Sequence, residues 1–209
     1  MTAFDPDFRT KLRELIIWRR DVRRFRADDL PTGTVDRLPA LASLAPSRLS
    51  QPGALSSSTM SRGAAAVRAE FCRCNDAALS SYAGGRAQLY ARLKLAGLDE
   101  APVHLALFAD RGTAQGHGLG RRTMPEMAEY SAVMAVHTLW LVARAEGLGL
   151  GWVSILDPIA VSRILDVPGD WIFLGYFCLG YPQSETVTPE LAREGWEQRR
   201  PWEEFVLRR

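Results

Sequence analysis

The chain has 209 residues, 47% of them hydrophobic, and a net charge of +2, so it can bury a core but carries no strong charge bias. Its basic residues lack the interleaved aromatics of nucleic-acid-binding surfaces, so we expect no nucleic-acid partner. The three cysteines and three histidines show no metal-ligand spacing, so we expect no metal site. The polar, acidic N-terminus is unlike a cleavable signal, and no apolar run is long enough to span a bilayer. We therefore expect a cytoplasmic protein, without a membrane partner, folded as one domain over residues 1–209.

The first predicted element is an amphipathic helix over residues 6 to about 19, introduced by an Asp-Pro pair that is typical of a helix start. It runs into residues 19–25, RRDVRRF, in which Arg19 and Arg23 would share a face if the helix continued. Arginines near a helix C-terminus often only complement the helix dipole. Four arginines in six residues exceed that need and could hold a phosphate dianion by charge-assisted bonds. Asp21, ringed by these arginines, would be ionised and fixed in position.

The next stretch combines one predicted helix with an anomalous segment. The helix covers residues 33 to 45, with Thr32 as its cap and a kink at Pro39, where a proline costs about 3 kcal/mol. Residues 47 to 65 are rich in serine, glycine and alanine and show neither helical nor strand periodicity, which predicts a flexible loop. A structureless loop of that length is uncommon inside a compact domain.

Two further helical segments follow. One runs from residue 64 to about 82, with Val67, Phe71 and Leu79 facing inward. The other, residues 86 to 98, is short and amphipathic with a basic face. It is either a solvated surface helix or a lid over a site.

The second half of the chain predicts buried strands and one apolar helix. Strands are expected over residues 102–109, 151–156 and 171–179. The first contains His104, which is more often a core histidine than a ligand. The helix, from about residue 130 to 146, is apolar nearly all round, so we expect it to pack on more than one side.

The glycines between this helix and the next strand invite two interpretations. Residues 147–151, GLGLG, resemble a nucleotide fingerprint, but they follow a helix and precede a strand, which reverses the Rossmann order. We therefore expect Gly147 to be a left-handed helix cap. Ser154 is the one hydroxyl in the strand that follows. A buried hydroxyl needs a partner, so Ser154 is either satisfied by backbone or faces a ligand.

A short helix over residues 158–166 and a polar tail from residue 182 complete the pattern. The tail carries Trp196 and Trp202, which we expect to dock, for example on another subunit. Helices around a small sheet, with too few strands for a doubly wound domain, predict the α+β class.

Four stretches together resemble the flavin-dependent nitroreductase superfamily. They are Arg19-Arg-Asp-Val-Arg-Arg-Phe25, Ala45-Pro-Ser47 with Gln51-Pro52, Gly149-Leu-Gly-Trp-Val-Ser154 and Gly195-Trp-Glu-Gln-Arg199. More closely, the chain resembles the 5,6-dimethylbenzimidazole synthase branch from about residue 8 to 201. The most specific signals are Asp21, where ordinary nitroreductases usually carry serine or threonine, and the Trp-Val-Ser sequence ending at Ser154. Residues 90–97 also resemble the lid that this branch places over its flavin.

The resemblance implies a nitroreductase-like α+β fold, with a small mixed or antiparallel sheet surrounded by helices and FMN at the interface of a homodimer. It also implies a lid at about residues 84–100 and a C-terminal dimer-docking tail at about residues 182–209. The implied reaction is the dioxygen-dependent fragmentation of reduced FMN. Its products are dimethylbenzimidazole, the lower ligand of cobalamin, and erythrose 4-phosphate. A separate flavin reductase would supply the reduced FMN.

The resemblance also assigns site residues. Asp21 and Ser154 match the two positions used for chemistry. A fixed carboxylate near the ribityl chain can act as a general base, and a hydroxyl near the ring can relay a proton. Ser47 would contact the flavin or its ribityl chain, and Leu95 would close the lid on the ring, excluding water and nicotinamide. The cofactor-binding set is completed by Arg19, Arg20, Val22, Arg23 and Arg199, of which the arginines would hold the FMN phosphate.

One segment departs from the family pattern. After Ser47 the family continues with Val-Gly, two residues and Gln-Pro-Trp, followed by an apolar strand. Here residues 48–53 read RLSQPG, one residue shorter, and residues 54–59 contain neither the tryptophan nor the strand. Our hypothesis is a local reading-frame error within residues 48–66, which resequencing of those codons tests. A genuine segment would remove one strand and part of the flavin pocket, and could impair the protein.

Two other functions stay open from the sequence. An ordinary NAD(P)H-dependent reductase of nitro or quinone substrates would retain its flavin, although Asp21 and the lid argue against it. A non-catalytic FMN-binding protein would result if the altered segment abolished the chemistry. The products formed from reduced FMN and air separate these alternatives.

Overall fold

The computed structural model describes residues 3–45, 62–92, 97–114, 117 and 120–209. Within them, helices surround a small antiparallel sheet, which confirms the α+β class. The elements are α1 (Pro6–Trp18), α2 (Thr34–Ala42), α3 (Arg62–Leu79), α4 (Gly84–Arg92), α5 (Gly97–Glu100), β1 (Val103–Asp110), α6 (Met127–Ala145), β2 (Gly149–Val153), α7 (Pro158–Ile164), β3 (Trp171–Gly180), α8 (Glu190–Arg193) and a 3₁₀ turn (Trp202–Phe205). None of the helices in these ranges combines the length and apolar composition that crossing a membrane requires.

The sheet is built around β3, which pairs antiparallel with β1 on one side and with β2 on the other. Val103 of β1 lies opposite Leu179, and Gly149 of β2 lies opposite Gly180. Side chains alternate between the two faces of a strand, so each face of the sheet supports its own core. One core packs against α2 and α6, and the other packs against α3 and α7.

A buried polar pair lies within the second core. His104 Nδ1 and the Tyr176 hydroxyl are 3.0 Å apart, and both residues are buried. Burial lowers the pKa of His104 and raises that of Tyr176. The prediction that His104 is a satisfied core histidine is confirmed.

Helix α6 begins three residues earlier than predicted and is not packed all round. Its buried residues, among them Val136 and Leu139, pack against the sheet and α2. Gly147 follows its C-terminal cap with the expected left-handed φ of 74°. Tyr130, Val133 and Met134 are exposed. These three lie at helical spacing on one face. The prediction of packing on more than one side is confirmed, since α6 contacts α1, α2 and the sheet, but one apolar face stays exposed in the single chain.

Helix α1 also leaves an apolar face unpacked. Asp5 caps it by accepting a bond from Phe8 N at 2.8 Å, which confirms the predicted start. None of the residues of α1 is buried, and the side chains of Phe8, Leu12 and Ile16 are exposed on one face. Since α1 packs on α6, the chain carries exposed apolar surface on two neighbouring helices.

Several predicted boundaries need correction. Gly33 caps α2 with φ 81°, so Thr32 is not the cap, and Pro39 is held within α2 while its neighbour Leu38 is buried. The described parts of the segment predicted over residues 86–98 lie in α4 and α5, and α7 ends at Ile164 before a left-handed Asp166.

The anomalous segment is covered only in part. Most of residues 47–65, and with them most of the hypothesised reading-frame error, lie outside the described residues. From Arg62 onward the chain is helical, so α3 begins before residue 64. Val67 and Phe71 are buried as predicted, whereas Leu79 is only partly buried.

Candidate active site

The chain leaves α1 in an extended conformation and runs along β2 as the arginine segment, residues 19–25. Arg19 follows the last turn of α1 with φ −64° and ψ 119°. The helix does not continue past Trp18, so the helix face that Arg19 and Arg23 would have shared does not form. Val22 N donates to Leu150 O at 3.1 Å. An edge strand offers unpaired backbone groups, so pairing with β2 explains why the helix stops here.

The Asp21 carboxylate is also bonded to the edge of β2. Its Oδ1 accepts a bond from Trp152 N at 2.8 Å, and its Oδ2 lies 3.6 Å from Arg23 Nε. Burial raises the pKa of Asp21, while the Trp152 N–H and the charges of Arg23 and Arg19 oppose that rise. The side chain keeps 36% of its surface exposed. The carboxylate is thus fixed in position but still reachable from one side.

Two glycines of β2 make this close approach possible. A Cβ added at Gly151 would lie 2.0 Å from Val22 O, and one added at Gly149 would lie 2.6 Å from Val22 Cγ2. Only glycine fits where another backbone approaches a strand this closely. The Gly-Leu-Gly sequence of β2 is therefore the site at which the arginine segment packs. Its location in a strand agrees with the conclusion that it is not a dinucleotide-binding fingerprint.

Three guanidinium groups gather beside this segment. Trp140 Nε1 donates to Arg20 O at 3.0 Å, and the Arg19 guanidinium lies 4.9 Å from the centre of the Trp140 ring. Burial lowers the pKa of both Arg19 and Arg20, and the charge of Arg199 lowers each further. Arginine stays protonated at physiological pH, so the smaller part of each shift that Arg199 causes reflects like charges near one another. A bound anion would relieve that repulsion. We call Arg19, Arg20 and Arg199 the arginine cluster.

A cavity of about 520 Å³ opens beside Asp21, within the usual size range of small-molecule sites. Arg20, Asp21 and Val22 contribute to its lining. Glu185 also lines it and is held by Arg144, with bonds of 2.6 and 3.0 Å. The cavity is therefore lined both by arginines and by carboxylates, among them the fixed carboxylate of Asp21.

The sequence model of the nitroreductase family matches residues 16–181, which include the arginine segment and all three described strands. The chain belongs to the nitroreductase family. Two relatives are named 5,6-dimethylbenzimidazole synthase. The one from Rhodospirillum rubrum is 53% identical over 95% of this chain and 94% of its own length. The one from Rhodobacter capsulatus is 47% identical over 96% of this chain and 97% of its own length.

Solved structures of nitroreductase-like proteins share the fold. Oxidised iodotyrosine deiodinase bound to FMN and 3-iodo-L-tyrosine superposes with a TM-score of 0.68 at 20% identity, covering 84% of this chain and 91% of the deiodinase. A nitroreductase-like protein from Streptococcus mutans gives 0.66 at 16% identity, covering 96% and 98% of the two chains. The predicted nitroreductase-like architecture is thus confirmed.

The structure of this nitroreductase-family chain brings some of the predicted site residues together but not all of them. It brings Asp21 together with the arginine cluster, as described above. The side chain of Val22 lies against Gly149 and the cavity. Ser154 follows the end of β2 and is exposed, so the expectation of a buried strand hydroxyl was wrong. Ser47 and Leu95 lie outside the described residues.

Sequence reasoning did not identify the contact partners of two tryptophans of this family member. Trp140 lies in the apolar helix, where its indole N–H anchors the arginine segment; a buried indole usually has such a partner. Trp196 was expected to dock, for example on another subunit, and within its own chain it packs against Tyr82 and Tyr90. No signal in the local sequence separates these contacts from ordinary core packing.

Proposed function

We propose that this chain is a 5,6-dimethylbenzimidazole synthase, an oxidoreductase that fragments reduced FMN with dioxygen to dimethylbenzimidazole and erythrose 4-phosphate. The observation that carries the proposal is its 53% identity, over 95% of the chain, to the synthase of Rhodospirillum rubrum. In this proposal a separate flavin reductase supplies the reduced FMN, and both proteins are cytoplasmic.

The arginine cluster fits the phosphate end of FMN. Arg20 lines the cavity, and the charge of Arg199 acts on both Arg19 and Arg20. Charge-assisted bonds to a phosphate dianion would neutralise this positive charge. Arg23 lies beside Asp21 and would orient that carboxylate as well as add to the field on the phosphate. The rest of the molecule would extend from this end into the cavity.

Asp21 is the residue we assign as general base. Reduced FMN supplies the electrons for the reaction with dioxygen. The Trp152 N–H holds Asp21 Oδ1, so in this proposal Oδ2, which lies 3.6 Å from Arg23 Nε, would accept a proton from the ribityl chain. Ser154 lies two residues beyond Trp152, and its exposed hydroxyl is available to a ring bound against the end of β2. We assign Ser154 to holding or relaying a proton there.

The pH dependence of turnover should show the raised pKa of Asp21. A general base must be ionised, and burial raises this pKa. Turnover should therefore fall as pH drops through a value above that of an ordinary aspartic acid. The measurement is kcat at saturating reduced FMN, because the second ionisation of a phosphate, near pH 6, also affects binding. A kcat that stays level down to the ordinary aspartate range would contradict the assignment.

The exposed apolar faces of α1 and α6 support a homodimer with FMN at the subunit interface. They carry Phe8, Leu12 and Ile16 on α1 and Tyr130, Val133 and Met134 on α6. Exposed apolar residues on two helices in contact are typical of a protein–protein interface. The arginine segment follows α1 directly, so an interface formed by α1 and α6 would lie close to the proposed site.

Substitution of Val133 by glutamate should convert the dimer to a monomer, because burying an unpaired carboxylate in an apolar interface is strongly unfavourable. Size-exclusion chromatography with light scattering measures the change from twice the mass of one chain to once that mass. Ile159→Glu is the matched control, since Ile159 is an exposed apolar residue on α7. A parent protein that is itself monomeric would refute the proposed dimer.

The function is tested by mixing anaerobically reduced FMN with the protein and then admitting air. Dimethylbenzimidazole, separated by chromatography, should form without any nicotinamide, and oxidised FMN in air should give none. Oxidation of NAD(P)H with the flavin intact would instead indicate an ordinary nitro or quinone reductase. Flavin binding without turnover would indicate a non-catalytic FMN-binding protein. Either outcome would reject the synthase proposal.

A further inference from the structure

Trp196 connects the C-terminal tail to helix α4. Its ring lies 5.7 Å from the ring of Tyr82 and 6.1 Å from that of Tyr90, which stack on each other at 4.9 Å. Arg86 of α4 places its guanidinium 5.7 Å from the same indole ring. Aromatic pairs and cation–π contacts of this kind each contribute modestly but add directional packing. Trp196 therefore packs the C-terminal tail against α4.

The position of Trp196 is set by the turn that precedes it. Helix α8 ends in a left-handed Gly195 with φ 74°. Trp196 N donates to Leu191 O at 2.8 Å, and Gly195 N donates to Ala192 O at 3.2 Å. This pair of bonds is the Schellman arrangement, which fixes the direction of the chain after a helix. The turn thus orients both Trp196 and the residues that follow it.

Arg199 lies three residues after Trp196, and its charge acts on Arg19 and Arg20. The tail also bonds to the arginine segment directly, because Arg20 Nε donates to Val187 O at 2.7 Å. One short stretch of tail therefore carries both a guanidinium of the proposed phosphate site and the aromatic contact to α4. Helix α5 is fastened to the same region, because Phe25 N donates to Glu100 Oε2 at 2.8 Å. Both described helices within residues 84–100 are thus tied to elements that carry the site's arginines.

We propose that Trp196 is a positioning residue that couples binding of the FMN phosphate at the arginine cluster to the placement of α4. The proposal rests on the proposed function for the identity of the ligand. When Arg199 is drawn to a phosphate, Trp196 is held with it, and α4 is held against the site. A flavin without a phosphate leaves the tail, and therefore α4, less restrained.

The test is hydrogen exchange of the backbone amides of residues 84–92 in the full chain, with oxidised FMN, with riboflavin, which lacks the phosphate, and with inorganic phosphate. FMN should slow exchange on the order of tenfold more than riboflavin, the size expected from a few aromatic and cation–π contacts. Trp196→Ala should abolish that difference, and Trp196→Phe should keep most of it. Trp202→Ala is the matched control, since Trp202 is an exposed tryptophan of the same tail.

Turnover provides a second readout. Trp196→Ala should lower kcat more than it raises KM, since it leaves the arginine cluster in place, and Trp196→Phe should recover most of the loss. The inference is overturned if Trp196→Ala keeps the phosphate-dependent slowing, or if Trp202→Ala loses it equally. Failure of the parent to make dimethylbenzimidazole would reject the proposed function, while the exchange comparison would still decide the coupling.

Discussion

Replacement of Asp21 by asparagine should abolish dimethylbenzimidazole formation while leaving FMN binding intact. The asparagine amide oxygen can still accept the 2.8 Å bond from Trp152 N, so the arginine segment should keep its place on β2. What is lost is the proton acceptor, and general acid–base catalysis typically contributes about 10²- to 10⁴-fold in rate. FMN affinity should be unchanged or tighter, because one negative charge beside the phosphate site has been removed. Chromatographic yield and fluorescence titration with FMN measure the two effects.

Asp28→Asn is the control for the loss of one carboxylate from the same part of the chain. Asp28 is exposed and paired with Arg26, with bonds of 2.7 and 2.9 Å, away from the cavity lining. It should make product at the parent rate. An Asp21→Asn protein that makes product at that rate would remove Asp21 from the mechanism.

Replacement of Gly151 by alanine should displace the arginine segment and with it both FMN binding and activity. The new Cβ would lie 2.0 Å from Val22 O, a backbone atom that cannot move without breaking the Val22–Leu150 bond. Overpacking typically costs about 1–3 kcal/mol, and the lost bonds add to it. We expect a lower denaturation midpoint and an FMN affinity weakened by at least the factor of about ten that 1.4 kcal/mol represents.

Gly169→Ala is the matched control, because a Cβ at Gly169 meets no atom within 4 Å. It should leave stability and FMN binding close to those of the parent. Denaturant titration and flavin fluorescence quenching compare the two variants. Normal FMN binding by Gly151→Ala would mean that FMN binding does not require close packing of the arginine segment on β2.

The elements that could be predicted were those whose signals are local. The Asp5 cap, the apolar run of β3 and the left-handed Gly147 depend on neighbouring residues, so periodicity and capping rules locate them closely. The end of α1 depends on a distant partner. Arg19 continues a helical pattern in the sequence, but backbone pairing with β2, more than a hundred residues later, makes the chain extended.

The same distinction applies to the site. Composition alone indicated an anion site in the arginine segment, and family resemblance supplied Arg199 from the tail. The reasons why Asp21 is held, a backbone N–H of Trp152 and the absence of a side chain at Gly151, are properties of a strand contact. A one-dimensional pattern does not contain such contacts. The exposed face of α6 was not predicted because its apolar residues were assumed to be buried within the chain. Apolar residues can equally be buried against another subunit.

The contact between Asp21 and β2 also has a consequence for solubility. Within the described residues β2 is an outer strand of the sheet, and the chain covers it at Leu150 and Trp152 with a backbone bridge and a carboxylate. Uncovered outer strands with apolar side chains recruit strands from other molecules. If the arginine segment detached from β2, the exposed strand edge would favour self-association. Asp21, the residue assigned to catalysis, would therefore also help to prevent aggregation by covering this edge.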